Sequence, residues 1–140
     1  MVQSWVRSEA RKECSGPLDE RVLVAEVVPS RRFGAVVAHS RPDDAYAAWV
    51  HERMGWEGPV RLLRVIAVAL DHQGRGLGHE AMDTAFDDID ERESGEQALV
   101  LALIHERNER SQMMALKHQL ELAPFPCTET PGMQYWFTTT

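Results

Sequence analysis

The chain has 140 residues, 44% of them hydrophobic and 26% charged, which fits one domain around one core. Its formal net charge of -7 argues against broad nucleic-acid binding, which needs neutralised phosphates, and is compatible with a cationic substrate such as an amine. No apolar run is long enough for a membrane span, and the opening MVQSWVRSEARKEC lacks a signal-peptide apolar region, so a cytoplasmic protein without membrane partners is expected.

Residues 2–13 read as a short helix with Trp5, Val6 and Ala10 on one face, broken by Ser15-Gly16-Pro17. Residues 21–28, RVLVAEVV, are apolar and β-branched and predict a strand; 33–39, FGAVVAH, is its hairpin partner across a turn at 29–32. Asp43 caps a helix over 43–54, whose Tyr46, Trp49, Val50 and Met54 share a face and which Gly55 terminates. Residues 61–69 are an apolar run long enough for a central strand, and the glycine-rich stretch HQGRGLGH, 72–79, follows it. Leu77, Ala81, Ala85 and Ile89 then recur every four residues beside Met82 and Phe86, the pattern of an amphipathic helix. Asp83, Asp87, Asp90 and Glu91 fall largely on its other face; with no His/Cys set nearby they read as a solvated face, not a metal site.

Residues 97–104, QALVLALI, are apolar nearly throughout, as in a strand buried on both sides. Asn108 caps a helix across 111–120 with Met113, Met114, Leu116 and Leu120 as its apolar members. Pro124 and Pro126 end helical options, and 133–139 is a terminal strand. Cys14 and Cys127 are far apart and read as free thiols. The order predicts a mixed α/β layer with a right-handed crossover from 61–69 to 97–104.

The glycines have separable uses. Gly74 permits a tight turn, while Gly76 and Gly78 remove Cβ atoms where a ligand or the sheet comes close. The helix that starts near Gly76 points free N–H groups and a positive dipole end at the loop, a seat for phosphate, with Arg75 and Arg64 adding charge. A Walker loop needs Lys-Ser/Thr where His79-Glu80 stands, and the spacing G-x-G-x-G is not the dinucleotide fingerprint. A plain strand-to-helix turn is the alternative.

Gln73-Gly74-Arg75-Gly76-Leu77-Gly78 resembles the Q/R-x-x-G-x-G/A signature of the GNAT superfamily of acetyl-CoA-dependent N-acetyltransferases. The likeness extends over VIAVALDHQGRGLGHEAM, 65–82, and over LALIHERNERSQMMALK, 101–117, where Asn108 and Ser111 are in register with an N-x-x-A/S helix start. Together these span 61–120. The resemblance implies a mostly antiparallel central sheet with flanking helices and a splayed pair of parallel strands, 61–69 and 97–104. It implies acetyl-CoA as acyl donor. Backbone groups of Ile66, Ala67 and Val68 would meet its acetyl and pantetheine part. The loop of Gln73, Gly74, Arg75, Gly76, Leu77, Gly78 and His79 would hold its pyrophosphate. Asn108, with Ser111, would contact the pantetheine arm or position the second helix.

The pattern breaks in places. Many members carry a tyrosine seven residues after the asparagine to protonate the sulfur; Ala115 stands there. His118-Gln119-Leu120 replaces a common Leu-Gly-Phe, and Leu70 a common proline. Candidate catalytic groups are Glu26, against the plainer reading of an edge-strand carboxylate, and His105, against a surface histidine. Tyr135 is a distant third, Asp71 reads as a turn residue, and His72 lies beside the glycine loop where the family's residue usually packs or turns outward. Only residues 1–20 precede the first hairpin, where members usually have a strand and two helices, and the helix at 43–54 replaces a short turn. Either the acceptor side is rebuilt or the strands assigned above are misplaced; a homodimer partner could cover the missing wall.

The leading expectation is an N-acetyltransferase that moves acetyl from acetyl-CoA to a primary amine, on a small molecule or a protein, by direct attack. A non-catalytic acyl-CoA-binding module is the alternative, motivated by Ala115. A toxin-like acetyltransferase acting on aminoacyl-tRNA is disfavoured by the acidic charge.

Overall fold

The computed structural model describes residues 2–8, 18–28, 32–69, 73, 74 and 76–140. Chain order is β1 Val2–Ser8, β2 Arg21–Val28, β3 Arg32–Ser40, α1 Asp44–Met54, β4 Val60–Val68, α2 Leu77–Arg92, β5 Leu99–His105, α3 Glu109–Lys117, β6 Glu121–Pro126 and β7 Met133–Thr139. The strands form one sheet in the order β1-β2-β3-β4-β5-β7-β6. Neighbours are antiparallel except β4 and β5, which α2 connects as the crossover.

Two expectations need correction. Residues 2–8 are not helical. They form β1, paired with β2 from Val2↔Val28 to Ser8↔Val22. A seven-residue ladder satisfies backbone groups that the weak apolar face of a helix could not have offset. The second is β6, which its two prolines concealed. It lies at the sheet edge and loses register between Leu122 and Pro126, where missing N–H donors cost little. Cys14, Leu70, Asp71, His72 and Arg75 lie outside the described residues.

Each face of the sheet has its own helical cover. On one face α1 lays Val50 against Val60, Leu99, Leu101 and Tyr135, with Tyr46, Trp49 and Met54 around them. Asp43 caps α1 by accepting from the Tyr46 N–H, and Gly55 ends it in the left-handed conformation. On the other face, Ala81, Met82, Ala85 and Ile89 of α2 pack on Leu23, Val37, Val100 and Ala102, and Ala115 of α3 joins Met82 and Trp136. Asp83, Asp87, Asp90 and Glu91 are exposed, but Asp88 between them is buried, bonded to Arg21 and His39.

Candidate functional site

The site begins with one surplus residue. In the β3–β4 ladder Ala38 pairs with Val65 and His39 with Leu63, so Arg64 has no opposite number. A bulge of this kind bends a strand and ends pairing. The parallel β4–β5 ladder accordingly stops at Leu63↔Ala102, while both strands continue, β4 to Val68 and β5 to His105. Beyond that point the strands diverge. The Arg64 side chain is tied down by donating from Nε to the Ser40 hydroxyl, at 3.1 Å.

The wedge opens into a cavity of about 1020 Å³. Its inner wall is apolar, including Leu63, Ile66, Met82, Ala102, Ala115 and Leu120. Its outer part carries Arg64, Gln73, His79, Asn108, Arg110 and Lys117, with Glu109 the carboxylate among the described lining residues. Ile66 and Val68 face the α2 side, where they meet Leu23 and Leu77. Strand alternation turns Val65 and Leu103 to the opposite face, yet both line the same cavity. The cavity therefore passes through the sheet between β4 and β5.

The N-terminus of α2 stands at its rim. α1 and α3 are capped by Asp43 and Asn108, whose side chains accept from Tyr46 N–H and Ser111 N–H. α2 begins at Gly76, which supplies no side-chain cap. The first-turn amides are left for an external acceptor, and the helix dipole favours an anion. Gly74 and Gly76 have φ of 78° and 79°, a region that suits glycine, and a Cβ on either would meet nothing. Gly78 differs: a Cβ there would lie 2.6 Å from Met114 Cε. It permits the close approach of α3 to α2.

The family model for GNAT acetyltransferases matches residues 5–119. The chain belongs to the GNAT family. No curated protein matches the sequence. Among solved structures, a GNAT-family protein from Desulfovibrio desulfuricans is similar at TM-score 0.68 and 12% identity, covering 99% of this chain and 98% of that one. A GNAT-family acetyltransferase from Listeria monocytogenes has TM-score 0.58 and 14% identity; 85% of this chain is covered but only 64% of that one. The spermidine/spermine N-acetyltransferase SpeG from Vibrio cholerae has TM-score 0.60 and 13% identity, covering 89% of this chain and 69% of that one. At these identities the structures show the GNAT fold alone.

The fold brings together most of the donor residues suggested by the motif. Ile66, Val68, Gln73, Gly74, Gly76, Gly78, His79, Asn108 and Ser111 line the cavity. Gln73 links the loop to both walls: its Nε2 donates to the Val68 carbonyl at 3.4 Å and its Oε1 accepts from Arg110 at 3.0 Å. Asn108 acts within α3, as its cap. Leu77 is not at the cavity; it is buried against Ala25 and Ala35. Ala67 is exposed and its side chain does not line the cavity either.

None of the three catalytic candidates lines the cavity. Glu26 lies on β2, two strands from the wedge, opposite Phe33 at a bulge. His105 closes β5, where its Nδ1 accepts from the Arg107 N–H at 3.1 Å and its ring packs on Gly132. Tyr135 is buried on the α1 face against Trp49 and Phe125; burial, with its Cys127 and Tyr46 neighbours, pushes its phenol up. Arg64, expected to add charge at the loop, does line the cavity; the sequence reading missed its bulge, Lys117 and the pairing of His79 with His118, whose Nδ1 and Nε2 lie 2.9 Å apart. No local pattern announced these: the bulge and the 39-residue separation of the two histidines are tertiary.

Proposed function

We propose that the protein is an N-acetyltransferase that transfers acetyl from acetyl-CoA to a primary amine within the through-sheet cavity. The observation that carries this is the loss of β4–β5 pairing beyond Leu63↔Ala102, which leaves backbone groups of β4 unpaired beside an apolar wedge. A thioester laid along β4 would direct its carbonyl oxygen at those amides. The pyrophosphate would rest on the uncapped α2 amides, with Arg110 and Lys117 nearby.

In the transfer, the lone pair of a neutral amine attacks the thioester carbonyl carbon. The carbonyl electrons move to oxygen, where N–H groups stabilise the oxyanion. Collapse breaks the C–S bond, the sulfur leaves as thiolate, and the amine proton passes to water. Ala115 lies at the inner wall where a side-chain acid would stand, so the thiolate leaves without one. The same Ala115 favours a second reading, an acyl-CoA-binding module without turnover.

The test is an acetylation assay over an amine panel, read as free thiol, beside calorimetric titration with coenzyme A. Binding with thiol release that depends on an amine supports the enzyme. Binding without release on any amine supports the module. Absence of coenzyme A binding removes both readings.

A further inference from the structure

We infer that the acceptor is a monoamine carried on an apolar alkyl or aryl body, and that Val65 and Leu103 select it. The inference rests on the acetyl-transfer reading, because it concerns the second reactant of the same cavity. The donor features, the uncapped end of α2 and the cap of α3, lie on the α2–α3 face. A nucleophile attacking the carbonyl from the other side must pass the opposite mouth of the wedge. Val65 and Leu103 flank that mouth, one on each diverging strand.

Both are large apolar side chains left 47% and 45% exposed in strands. Covering them is favourable, and a passing substrate with an apolar body would do so. Charge argues the same way. Among the described residues the lining carries the cations Arg64, Arg110 and Lys117 against one carboxylate, Glu109, which sits on α3 at the donor side. The formal charge of -7 is thus not carried by the described lining residues. A polyamine would find no carboxylate among the described lining residues of the acceptor mouth and would face the Arg64 guanidinium. A monoamine sheds its single charge before attack, and its apolar body meets Val65 and Leu103.

The experiment uses the whole chain. Coenzyme A affinity is measured first, then kcat/KM for 2-phenylethylamine, ethylamine and spermidine with acetyl-CoA, and the affinity of each amine for the coenzyme A-loaded protein. The same set is repeated on Leu103→Glu and Leu103→Gln. Phenylethylamine is expected to exceed both other amines by about tenfold or more, the discrimination that apolar pocket contacts deliver. Leu103→Gln should erase that margin, and Leu103→Glu should invert it in favour of spermidine, with coenzyme A affinity unchanged in both. Leu103 is half-exposed, so neither variant buries a new polar group.

Spermidine equal to or better than phenylethylamine on the unaltered protein overturns the inference. So does a margin that survives Leu103→Gln. A preference for octanoyl-CoA over acetyl-CoA that Leu103→Glu removes also overturns it, because the pair then serves the donor's acyl chain. If thiol release fails but phenylethylamine still binds the loaded protein most tightly, selection stands and only turnover falls. Absence of coenzyme A binding removes both.

Discussion

At the scale of single residues, Gly76 and Gly78 do different work although one motif contains both. Gly76 is needed for its backbone: φ of 79° with open space where a Cβ would go. Gly76→Ala should cost stability by about 1–2 kcal/mol from left-handed strain alone. Gly76→Glu adds a carboxylate at the proposed pyrophosphate seat, and should weaken coenzyme A binding by about 100-fold beyond the alanine variant, as like-charge juxtaposition costs several kcal/mol. Equal calorimetric affinities for the two variants would remove the loop from donor binding. Gly78 is needed for clearance. Its missing Cβ would meet the end of a flexible methionine, so Gly78→Ala should leave the urea midpoint unchanged or raised, helped by about 1 kcal/mol of helix propensity. The displaced Met114 methyl should still lower coenzyme A affinity, because Met114 lines the cavity from α3, beside the α2 N-terminus that is the proposed pyrophosphate seat.

At the scale of elements, the motif was legible because helix ends and glycine turns are written locally. A cap and its amide lie three residues apart, as with Asn108 and Ser111. Asn108→Ala should therefore destabilise the protein by about 1 kcal/mol through α3 alone. It should also loosen the wall that Arg110 ties to Gln73. Raised hydrogen exchange confined to α3 would match this; an unchanged midpoint would place the role of Asn108 outside the cap. The bulge at Arg64 was not legible, since RLLRVIAV reads as an uninterrupted strand. Only pairing with β3 reveals the surplus residue. A motif marks a stretch, while the pleat and the helix decide which members face the cavity.

At the scale of the whole molecule, the end of the sheet away from the wedge is held by buried ions. Arg61 is fully buried, donating to Glu93 and Asp19 at 2.7 Å each, while Arg41 and Arg92 close the network. Arg61→Met leaves Glu93 and Asp19 each short of a partner and should cost about 3–5 kcal/mol in a urea titration. The network also sets the acid limit. Hydrogen bonding from Arg92, then from Arg61, holds the Asp19 carboxyl low against its burial. Burial pushes Asp88 and Glu93 up, but His39 with Arg21, and Arg41 with Arg61, outweigh it and hold both low. Carboxyls depressed in the folded state stabilise it above their ordinary values of 3.8 and 4.5, and that stability is lost as pH falls below them. Burial also lowers His118 from 6.5, with Asp83 opposing and His79 adding, so the folded state begins to lose stability below that value. The urea midpoint should thus decline gently below pH 6.5 and steeply below 4.5. A midpoint that rises on acidification would contradict the assignment.

The sequence by itself determined the periodic helices, most strands and the glycine turn, because these depend on residues a few positions apart. Tertiary structure alone decided where β4 leaves β5, which face α1 covers, and that β1 is a strand. It also decided that Arg61 meets Asp19 across 42 residues of chain. Strand pairing and charge burial depend on which distant segment arrives opposite, and no local pattern records that. The glycine turn is built from one contiguous stretch; the cavity beside it is built from a bulge and two strands that part.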